Sequence, residues 1–318
     1  MTASEVFLGL DTSNYTTSLS VLSSDGEIIA NIKRPLPVKE GERGLRQSEA
    51  VFSHIKNMPY VMEEAEEYIR GRRILAVGVS TRPRNQEGSY MPCFLTGIAS
   101  AESIARTHGV PIYRFSHQCG HIMSALYSSK AEIDRGESFL AFHVSGGTTE
   151  CLAVRRDDAG FSAELVGGSK DLNAGQLIDR IGVKLGLRFP AGPAMEQLAL
   201  EYEGRLSYKH PRAEGTFVNL SGLENMAEKM LQESQNGQMT AAFVLNYVAD
   251  ALLSITDAAL DKYGRMPLVF AGGVMCNSII KNRISERYSA YFAHPSLSSD
   301  NAVGISVLAR EEFFRQKR

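Results

Sequence analysis

The sequence predicts a two-lobed α/β protein in which one strand–hairpin unit occurs twice. The chain has 318 residues, more than a single domain usually contains. Apolar stretches of strand length alternate with stretches of helical period. The runs 8–13 and 141–146 share one pattern, an apolar strand that ends in small polar residues before a hairpin. We therefore predict an internal duplication with one copy in each lobe. A chance similarity of two hairpins is the alternative.

The first lobe is predicted to cover residues 1–125. Turn residues at 13–15 and 23–26 separate three short strands, because Ser, Asn, Asp and Gly favour turns between alternating segments. Apolar residues at spacings of three and four then indicate helices. The expected strands are 6–12, 17–22, 27–32, 75–81 and 110–115, and the expected helices are 49–70 and 97–108.

The second lobe is predicted to cover residues 126–318 and to contain a helical insertion. Its strand at 139–145 meets a tight turn at Gly146-Gly147 and returns at 150–155. Helices are expected at 173–187, 193–203, 240–263 and 275–287, and a further strand at 267–271. No low-complexity linker separates the lobes, which favours close packing.

Composition and charge exclude several classes of protein. Hydrophobic residues make up 43% and charged residues 22% of the chain, which are ordinary globular values. A net charge of -2 gives no support for a broadly basic nucleic-acid surface. Four scattered cysteines without a C-x-x-C pair or a secretory signal predict reduced thiols and a cytoplasmic location. No apolar run reaches the roughly 18 residues of a membrane span, so no membrane association is expected.

Two histidines four residues apart form the most informative motif. His117 and His121 lie on one face if the segment is helical, and can then bind one metal ion. The pattern differs by one residue from the zinc-protease motif H-E-x-x-H, whose glutamate is the general base. Gln118 occupies that position and cannot accept a proton at neutral pH. A metal site without protease chemistry is therefore predicted, although many such pairs are ordinary surface histidines.

A third metal ligand is expected near the C-terminus. Asp300, in the loop 298–302, is the best candidate for an oxygen ligand. Two histidines and one carboxylate leave coordination positions open, which suits a catalytic metal better than a structural one. Fe²⁺ and Zn²⁺ fit this set of ligands comparably. His54, His108, His210 and His294 are isolated in the sequence, and we assign them no role.

Two glycine-bearing strand ends are candidate phosphate-binding loops. Ser145-Gly146-Gly147 allows backbone N–H groups to approach an anion, because glycine has no Cβ; an ordinary hairpin turn is the alternative. Gly272-Gly273 ends a strand and precedes Asn277 and a helix. Neither segment matches the dinucleotide pattern G-x-G-x-x-G, and no Walker A sequence occurs. A bound nucleotide is therefore expected between the lobes.

A third segment combines carboxylates with a helix that is predicted to begin at a glycine and a proline. Gly192-Pro193 places a glycine and a favoured first-turn proline at the beginning of a helix. Asp179 and Glu196, on predicted helices beside it, are candidates for binding ribose hydroxyls. Solvated acids on the faces of these helices are the alternative.

In this order, the motifs resemble one family, the threonylcarbamoyl transferases of the TsaD type, once named O-sialoglycoprotein endopeptidases. The resemblance runs from Phe7 to Ala302. It implies an actin-like ATPase (ASKHA) fold, with two duplicated RNase H-like lobes and a nucleotide cleft between them. It rests on the segments 7–13, 117–121, 144–147, 173–179, 190–193, 221–223, 272–277 and 300–302.

The resemblance also implies roles for individual residues. One divalent metal would be bound by His117, His121 and Asp300, and Asp11 is assigned a catalytic role. An adenine nucleotide (threonylcarbamoyl-AMP, ATP or ADP) would contact His143, Val144, Ser145, Gly146, Gly147, Asp179, Gly192, Glu196 and Asn277. The implied reaction transfers a threonylcarbamoyl group from an adenylate to N6 of adenine in tRNA. The implied partners are tRNA and accessory proteins of the threonylcarbamoyl pathway.

The chain departs from the family pattern around the expected acceptor. Two acids of the first hairpin are replaced by Tyr15 and Thr16, and a histidine of the glycine turn by Thr148. Arg82 and Arg84 stand where the family has small residues, and Glu224 stands where it has lysine. These changes indicate a divergent paralogue.

Two other functions are compatible with the sequence. One keeps the donor chemistry and transfers the group to a small molecule or protein, with Arg82 and Arg84 binding an anionic group. The other is a non-catalytic nucleotide-binding partner of a true transferase. The three predicted metal ligands argue against this second function, because a scaffold needs no open metal site.

Overall fold

The computed structural model of the chain describes residues 4–13, 15–37, 46–157, 160–298 and 300–317. The chain forms two compact units, each built around its own sheet. The first unit comprises Met1–Ser128, Asp157–Ser162 and Leu297–Arg318, and the second comprises Ser129–Arg156 and Ala163–Ser296. The C-terminal segment therefore packs with the first unit, whereas the sequence prediction placed it in the second.

The first unit follows the predicted order of strands and helices. Its five-stranded sheet has the order β3-β2-β1-β4-β5, with β1–β3 antiparallel and β4 and β5 parallel to β1. The central strand β1 is buried from Val6 to Asp11, as its apolar sequence predicts. The elements are β1 Glu5–Asp11, β2 Thr16–Ser23, β3 Ile28–Pro35, α1 Gln47–Ile69, β4 Arg73–Arg82, α2 Phe94–His108, β5 Ile112–Ser116, α3 His117–Ser129 and, near the C-terminus, α9 Val303–Arg315.

The second unit contains a six-stranded sheet in the order β11-β10-β6-β7-β8-β9. Short 3-10 turns occupy Gly273–Cys276 and Pro295–Leu297. Strands β8, β9 and β11 and helices α6 and α9 were not predicted from the sequence. The elements are β6 Ser138–Val144, β7 Thr149–Asp157, β8 Gly160–Ser169, α4 Ala174–Lys184, α5 Gly192–Leu200, β9 Phe217–Val218, α6 Ser221–Ser234, α7 Gly237–Tyr263, β10 Leu268–Ala271, α8 Ser278–Ser285 and β11 Tyr291–Phe292.

The two sheets repeat one strand order, which confirms the predicted duplication. Strands β8, β7, β6, β10 and β11 follow one another as β3, β2, β1, β4 and β5 do. In both sheets an antiparallel hairpin is followed by two strands that run parallel to its first strand. The parallel strands need long crossover connections, which helices supply.

Glycines in the first sheet allow α9 to pack closely on it. A Cβ at Gly9 in β1 would lie 2.5 Å from the carbonyl oxygen of Ala302, and a Cβ at Gly78 in β4 would lie 2.7 Å from that of Ile305. Real side chains do not tolerate such contacts with backbone. The two glycines therefore allow the start of α9, and the residue before it, to lie directly against β1 and β4.

Helix α7 forms the core of the second unit. It is long and apolar enough to cross a membrane by length and composition, but 78% of its most apolar window is buried against the rest of the chain. Phe243, Leu245 and Val248 are among its residues in the main apolar cluster. The four cysteines form no disulfide, and Cys276 is the exposed one.

A buried histidine in α1 makes the stability of the first unit depend on pH. The His54 side chain is 0% exposed, its Nδ1 is hydrogen-bonded to Thr17 Oγ1 at 2.8 Å, and its Nε2 has no partner in the described part of the chain. Burial lowers the pKa of His54 to about 4, although the charge of Asp11 opposes this shift. The imidazole is therefore neutral in the folded state, whereas the unfolded chain binds a proton near pH 6.5.

We expect the free energy of unfolding to fall between pH 6.5 and pH 4 by up to about 3 kcal/mol on account of His54. In this window the unfolded state binds the extra proton, so stability is full above it and is lost as the pH falls through it. Urea unfolding of the parent and of His54→Leu at several pH values measures the effect. The slope should be smaller in the variant, and an equal slope in both proteins would show that His54 is not its source.

Candidate functional site

The three predicted metal ligands converge in the first unit. Helix α3 begins at His117 directly after β5, which places His117 and His121 on adjacent turns of one face. Asp300 lies in the loop before α9, which packs on the same sheet. The Nε2 atoms of the two histidines are 2.9 Å apart, and Asp300 Oδ1 lies 3.2 Å from His121 Nε2 and 3.7 Å from His117 Nε2.

The donor atoms fit a divalent transition metal. All three lie within 4.8 Å of one another, and their side chains are only 15–25% exposed. Ligand atoms about 2.0–2.2 Å from a common ion lie roughly 3–3.7 Å apart, close to the observed spacings. Two imidazole nitrogens and one carboxylate oxygen form a set that suits Fe²⁺ or Zn²⁺. The residues present therefore fit the metal that the sequence predicts.

The Asp11 carboxylate contacts the ring nitrogen of His117 that does not face the other metal ligands. Its Oδ2 lies 2.8 Å from His117 Nδ1, and its Oδ1 accepts a hydrogen bond from the backbone N–H of Ser13 at 2.8 Å. A carboxylate on Nδ1 keeps a proton on that nitrogen and leaves Nε2 as the atom that faces the other ligands, where a metal would displace the Nε2 proton. The sequence predicted a catalytic Asp11; at 1% exposure it lies where it orients the imidazole.

The electrostatics of this pair strengthen the contact. Burial raises the pKa of Asp11, but the charge and hydrogen bond of His117 outweigh it and hold that pKa well below its ordinary value. Burial lowers the pKa of His117, and the Asp11 carboxylate reverses this and raises it to about 9. The pKa of Asp300 is also lowered. Burial raises it, but the contacts of its carboxylate with both histidines outweigh burial. Both carboxylates are therefore charged at neutral pH.

We expect Asp11→Asn to reduce metal affinity by about 10- to 100-fold. The asparagine amide would donate to Nδ1, so the proton would move to Nε2, the atom that should bind the metal. Titration of the metal-free protein with Zn²⁺ measures the change. Asp25→Asn, at an exposed position, is the matched control. Unchanged affinity in Asp11→Asn would contradict the role assigned to Asp11.

A small polar network fixes the loop that carries Asp300. Asn301 Oδ1 accepts hydrogen bonds from Ser124 Oγ at 3.1 Å and from the Val303 N–H at 2.9 Å, and its Nδ2 donates to the carbonyl of Leu297 at 3.0 Å. The Gly304 N–H donates to Ser124 Oγ at 3.0 Å. Ser124 lies on α3 one turn after His121, so the network joins the two elements that carry the ligands. The sequence analysis did not assign Ser124 or Gly304 a role.

The predicted phosphate-binding turns meet in the second unit. Strands β6 and β10 are parallel neighbours with His143 opposite Ala271, so the segments after both strands leave the sheet at one edge. A Cβ at Gly272 would lie 2.2 Å from the carbonyl oxygen of Val144, and one at Gly175 would lie 2.6 Å from the Gly146 nitrogen. Gly272 also has φ +102°, which favours glycine. Gly146 and Gly147 are exposed, and the Gly147 N–H donates to Ser145 Oγ at 3.3 Å.

The remaining predicted nucleotide-binding residues link three helices of the same unit. Asp179 Oδ1 on α4 accepts from the Ala191 N–H at 2.7 Å, beside Gly192 at the start of α5. Glu196 Oε1 on α5 accepts from the Ser278 N–H at 2.8 Å and from Ser278 Oγ. Asn277 caps α8 by accepting from the Ile280 N–H at 3.1 Å. These hydrogen bonds link α4 to the start of α5, and α5 to the start of α8.

The arginine-bearing loop after β4 contacts the helix of the metal ligands. The Gln118 N–H donates to the carbonyl of Pro83 at 3.0 Å. Arg82 Nη2 donates to Asn85 Oδ1 at 2.9 Å, and Asn85 Nδ2 reaches Cys119 Sγ at 3.2 Å. This loop therefore packs on the residues between His117 and His121. Glu224, which stands where the family pattern has lysine, pairs with Arg180 and Lys184 on α4.

The protein has the actin-like ATPase fold. The nucleotide- and phosphate-bound structure of HypF superposes with a TM-score of 0.60 at 14% identity, covering 97% of this chain and 55% of that longer one. The (R)-2-hydroxyglutaryl-CoA dehydratase component A of Acidaminococcus fermentans gives a TM-score of 0.54 at 14% identity over 97% and 99% of the two chains. A ROK family glucokinase from Streptomyces griseus gives 0.53 at 14% identity over 96% and 99%. These similarities confirm the predicted fold class.

The sequence assigns the protein to a particular family within that fold. The sequence model described as "TsaD: tRNA N6-adenosine threonylcarbamoyltransferase" matches residues 29–307. The enzyme of that name from Streptococcus gordonii is 31% identical over 292 positions, covering 87% of this chain and 82% of its own length. The one from Streptococcus suis is 28% identical over 333 aligned positions, covering 99% and 95%. The chain therefore belongs to the TsaD family, as the motifs predicted.

Proposed function

We propose that the protein transfers a threonylcarbamoyl group from threonylcarbamoyl-adenylate to N6 of adenine in tRNA, in the cytoplasm and with a bound divalent metal. The observation that carries this proposal is the convergence of His117, His121 and Asp300 in a chain of the TsaD family. A protein that only bound nucleotide would have no use for an open site of this kind. Accessory proteins of the threonylcarbamoyl pathway are the partners that the family implies.

The chemical step forms one bond and breaks another at the carbamoyl carbonyl. The N6 amine attacks the carbonyl carbon, the C–N bond forms, the bond to the adenylate phosphate oxygen breaks, and AMP leaves while the amine loses a proton. The bound metal would supply Lewis-acid stabilisation of the oxygen that gains negative charge. His117, His121 and Asp300 would hold it, and Asp11 would fix the orientation of His117.

In the second unit, backbone donors would bind the nucleotide phosphates. Gly146 and Gly147 have no Cβ to obstruct their N–H groups, and nothing lies within 4 Å of where either Cβ would be. The Gly147 N–H, which donates to Ser145 Oγ, would exchange that acceptor for a phosphate oxygen. His143, Val144 and Ser145 lead into this turn from β6. Asp179, Gly192, Glu196 and Asn277 would hold the nucleoside, through backbone and carboxylate groups whose positions the helices α4, α5 and α8 fix.

Complementation tests the proposed function. The gene should restore the threonylcarbamoyl-modified nucleoside in the tRNA of a strain that lacks its own threonylcarbamoyl transferase, measured by mass spectrometry of digested tRNA. The His121→Ala variant is the matched negative control, because it removes one metal ligand and leaves the Asp11–His117 contact intact. Absence of the nucleoside with soluble, folded protein would contradict tRNA as the acceptor.

We expect Asn277→Ala to weaken ADP binding by about tenfold, because α8 begins at this residue and the lost cap loosens the helix start. Asn277→Asp retains a capping oxygen and should keep the helix start in place. Calorimetric titration with ADP measures both variants. Unchanged affinity in Asn277→Ala would count against the assignment of this residue to the nucleotide site.

A further inference from the structure

The second unit contains a cavity whose lining includes none of the residues assigned to the metal or the nucleotide. Its volume is about 620 Å³, within the range of small-molecule sites. It is lined by the end of α5, the segment that follows α5, one face of α7 and the first two turns of α8. Leu200, Leu206 and Ile279 supply apolar walls, and Tyr208, Asn246 and Arg283 supply polar groups.

Arg283 is held so that its terminal nitrogens remain available. Its Nε donates to Asp250 Oδ1 at 2.5 Å, and in the described part of the chain its two Nη groups have no hydrogen-bond acceptor. The Arg283 side chain is 34% exposed and contributes to the cavity wall. A planar guanidinium with a free Nη edge matches the geometry of a carboxylate or phosphate group.

Both oxygens of the Asp250 carboxylate, which pairs with Arg283, have hydrogen-bond partners. Asp250 is 7% exposed, and its Oδ2 accepts a hydrogen bond from Tyr208 Oη at 2.8 Å and lies 2.6 Å from His210 Nδ1. Burial raises the pKa of Asp250, and the hydrogen bonds of Arg283, Tyr208 and His210 more than offset this and lower it. Asp250 therefore stays ionised and orients three neighbours, and it does not compete for the Nη edge of Arg283.

We propose that this cavity binds a small organic anion, in which a carboxylate or phosphate group meets Arg283 and an apolar or aromatic body fills the space beside Leu206 and Tyr208. The Tyr208 ring is fixed by its contacts with Phe243 and His210, at centroid distances of 5.2 and 5.1 Å. A rigid aromatic wall next to an oriented cation is the usual composition of such sites. The inference goes beyond the proposed transfer and does not depend on it.

Three probes of one shape test the charge requirement. Benzoate, phenyl phosphate and the neutral benzamide are compared on the full chain by ligand-observed NMR titration. We expect at least one anion to bind about tenfold more tightly than benzamide. The stronger of the two anions identifies the group as carboxylate or phosphate. Equal binding of all three, or no binding of either anion, would overturn the proposal.

Two variants test the location. Arg283→Gln combined with Asp250→Asn removes the cation without leaving a buried unpaired carboxylate, and Ser207→Trp fills the cavity from an exposed position in its wall. Both should reduce anion binding by about tenfold or more. Arg287→Gln is the control. Arg287 lies just after the end of α8, pairs with Asp257 and is not part of the cavity wall. Unchanged binding in both variants would contradict the proposal.

A competition experiment separates this site from the nucleotide site. Saturating ADP should leave the binding of the favoured anion unchanged. Displacement by ADP would make the cavity part of the nucleotide site and would overturn its assignment as a separate one. Failure of the tRNA complementation would leave all these measurements unaffected, so the two proposals can fail independently.

Discussion

Replacing His117 and His121 together by alanine is expected to abolish the binding of divalent metal. Both imidazoles point their Nε2 atoms at the position that an ion shared with Asp300 would occupy. A single carboxylate that remains in a site open to water binds Fe²⁺ or Zn²⁺ weakly. If the proposed function holds, the loss of tRNA modification accompanies the loss of metal.

The measurement is metal content after loading with Zn²⁺ and removal of the excess. The parent should bind one ion per chain and the double variant none. His108→Ala with His294→Ala removes two exposed histidines elsewhere and is the matched control. Full occupancy in the His117/His121 double variant would refute the site.

Folding of the double variant needs a separate check. Loss of His117 leaves Asp11 buried without its imidazole partner, and an uncompensated buried charge costs about 3–5 kcal/mol. His121→Ala alone keeps the Asp11–His117 pair and still removes one of three ligands. It should weaken Zn²⁺ binding by about 100-fold or more while the circular dichroism spectrum stays that of the parent.

Gly304→Ala is expected to destabilise the first unit and to disturb the metal site from outside it. An added Cβ would lie 1.9 Å from the carbonyl oxygen of Gly120 and 2.7 Å from Ser124 Oγ. Gly120 and Ser124 belong to α3, so α3 and α9 must separate to admit a methyl group. Overpacking of this kind against backbone costs about 3 kcal/mol or more.

Urea unfolding and Zn²⁺ titration of Gly304→Ala measure the two effects. We expect lower stability together with weaker metal binding, because Asp300 precedes α9 while both histidines lie on α3. Gly222→Ala is the control: it lies in α6, nothing lies within 4 Å of the added Cβ, and the change should raise stability slightly. Parental stability and affinity in Gly304→Ala would show that the close approach of the two helices is not required.

Much of the fold could be predicted from local pattern. The strand ends at Asp11 and Val144, the helices that follow β4 and β10, and the repeated hairpin all carry strong periodicity or turn residues. Two of the elements that were missed lacked such signals. Strand β9 has two residues, and α9 is buried on most sides, so it has no polar stripe to reveal its period.

The candidate site was predicted unevenly for a similar reason. The i, i+4 spacing of His117 and His121 is a local signal, and helix geometry alone converts it into proximity. Asp11 contacts His117 and Asp300 contacts His121, although about 100 and 180 residues separate the two members of each pair in the sequence. Sequence patterns gave Asp300 only as a candidate, and gave no reason to place Asp11 behind His117.

By itself the sequence determined most of the strands and helices, the duplication, the family and the histidine pair, because each is encoded in residues that are near one another in the chain. Only the tertiary structure decided that residues 297–318 pack with the first unit, that Asp11 orients His117, and that Gly304 lies against Gly120. It also brought His210, to which the sequence gave no role, together with Asp250 and Arg283 beside a cavity. These features depend on side-chain contacts between distant segments, and such contacts are set by close packing of whole elements rather than by local periodicity.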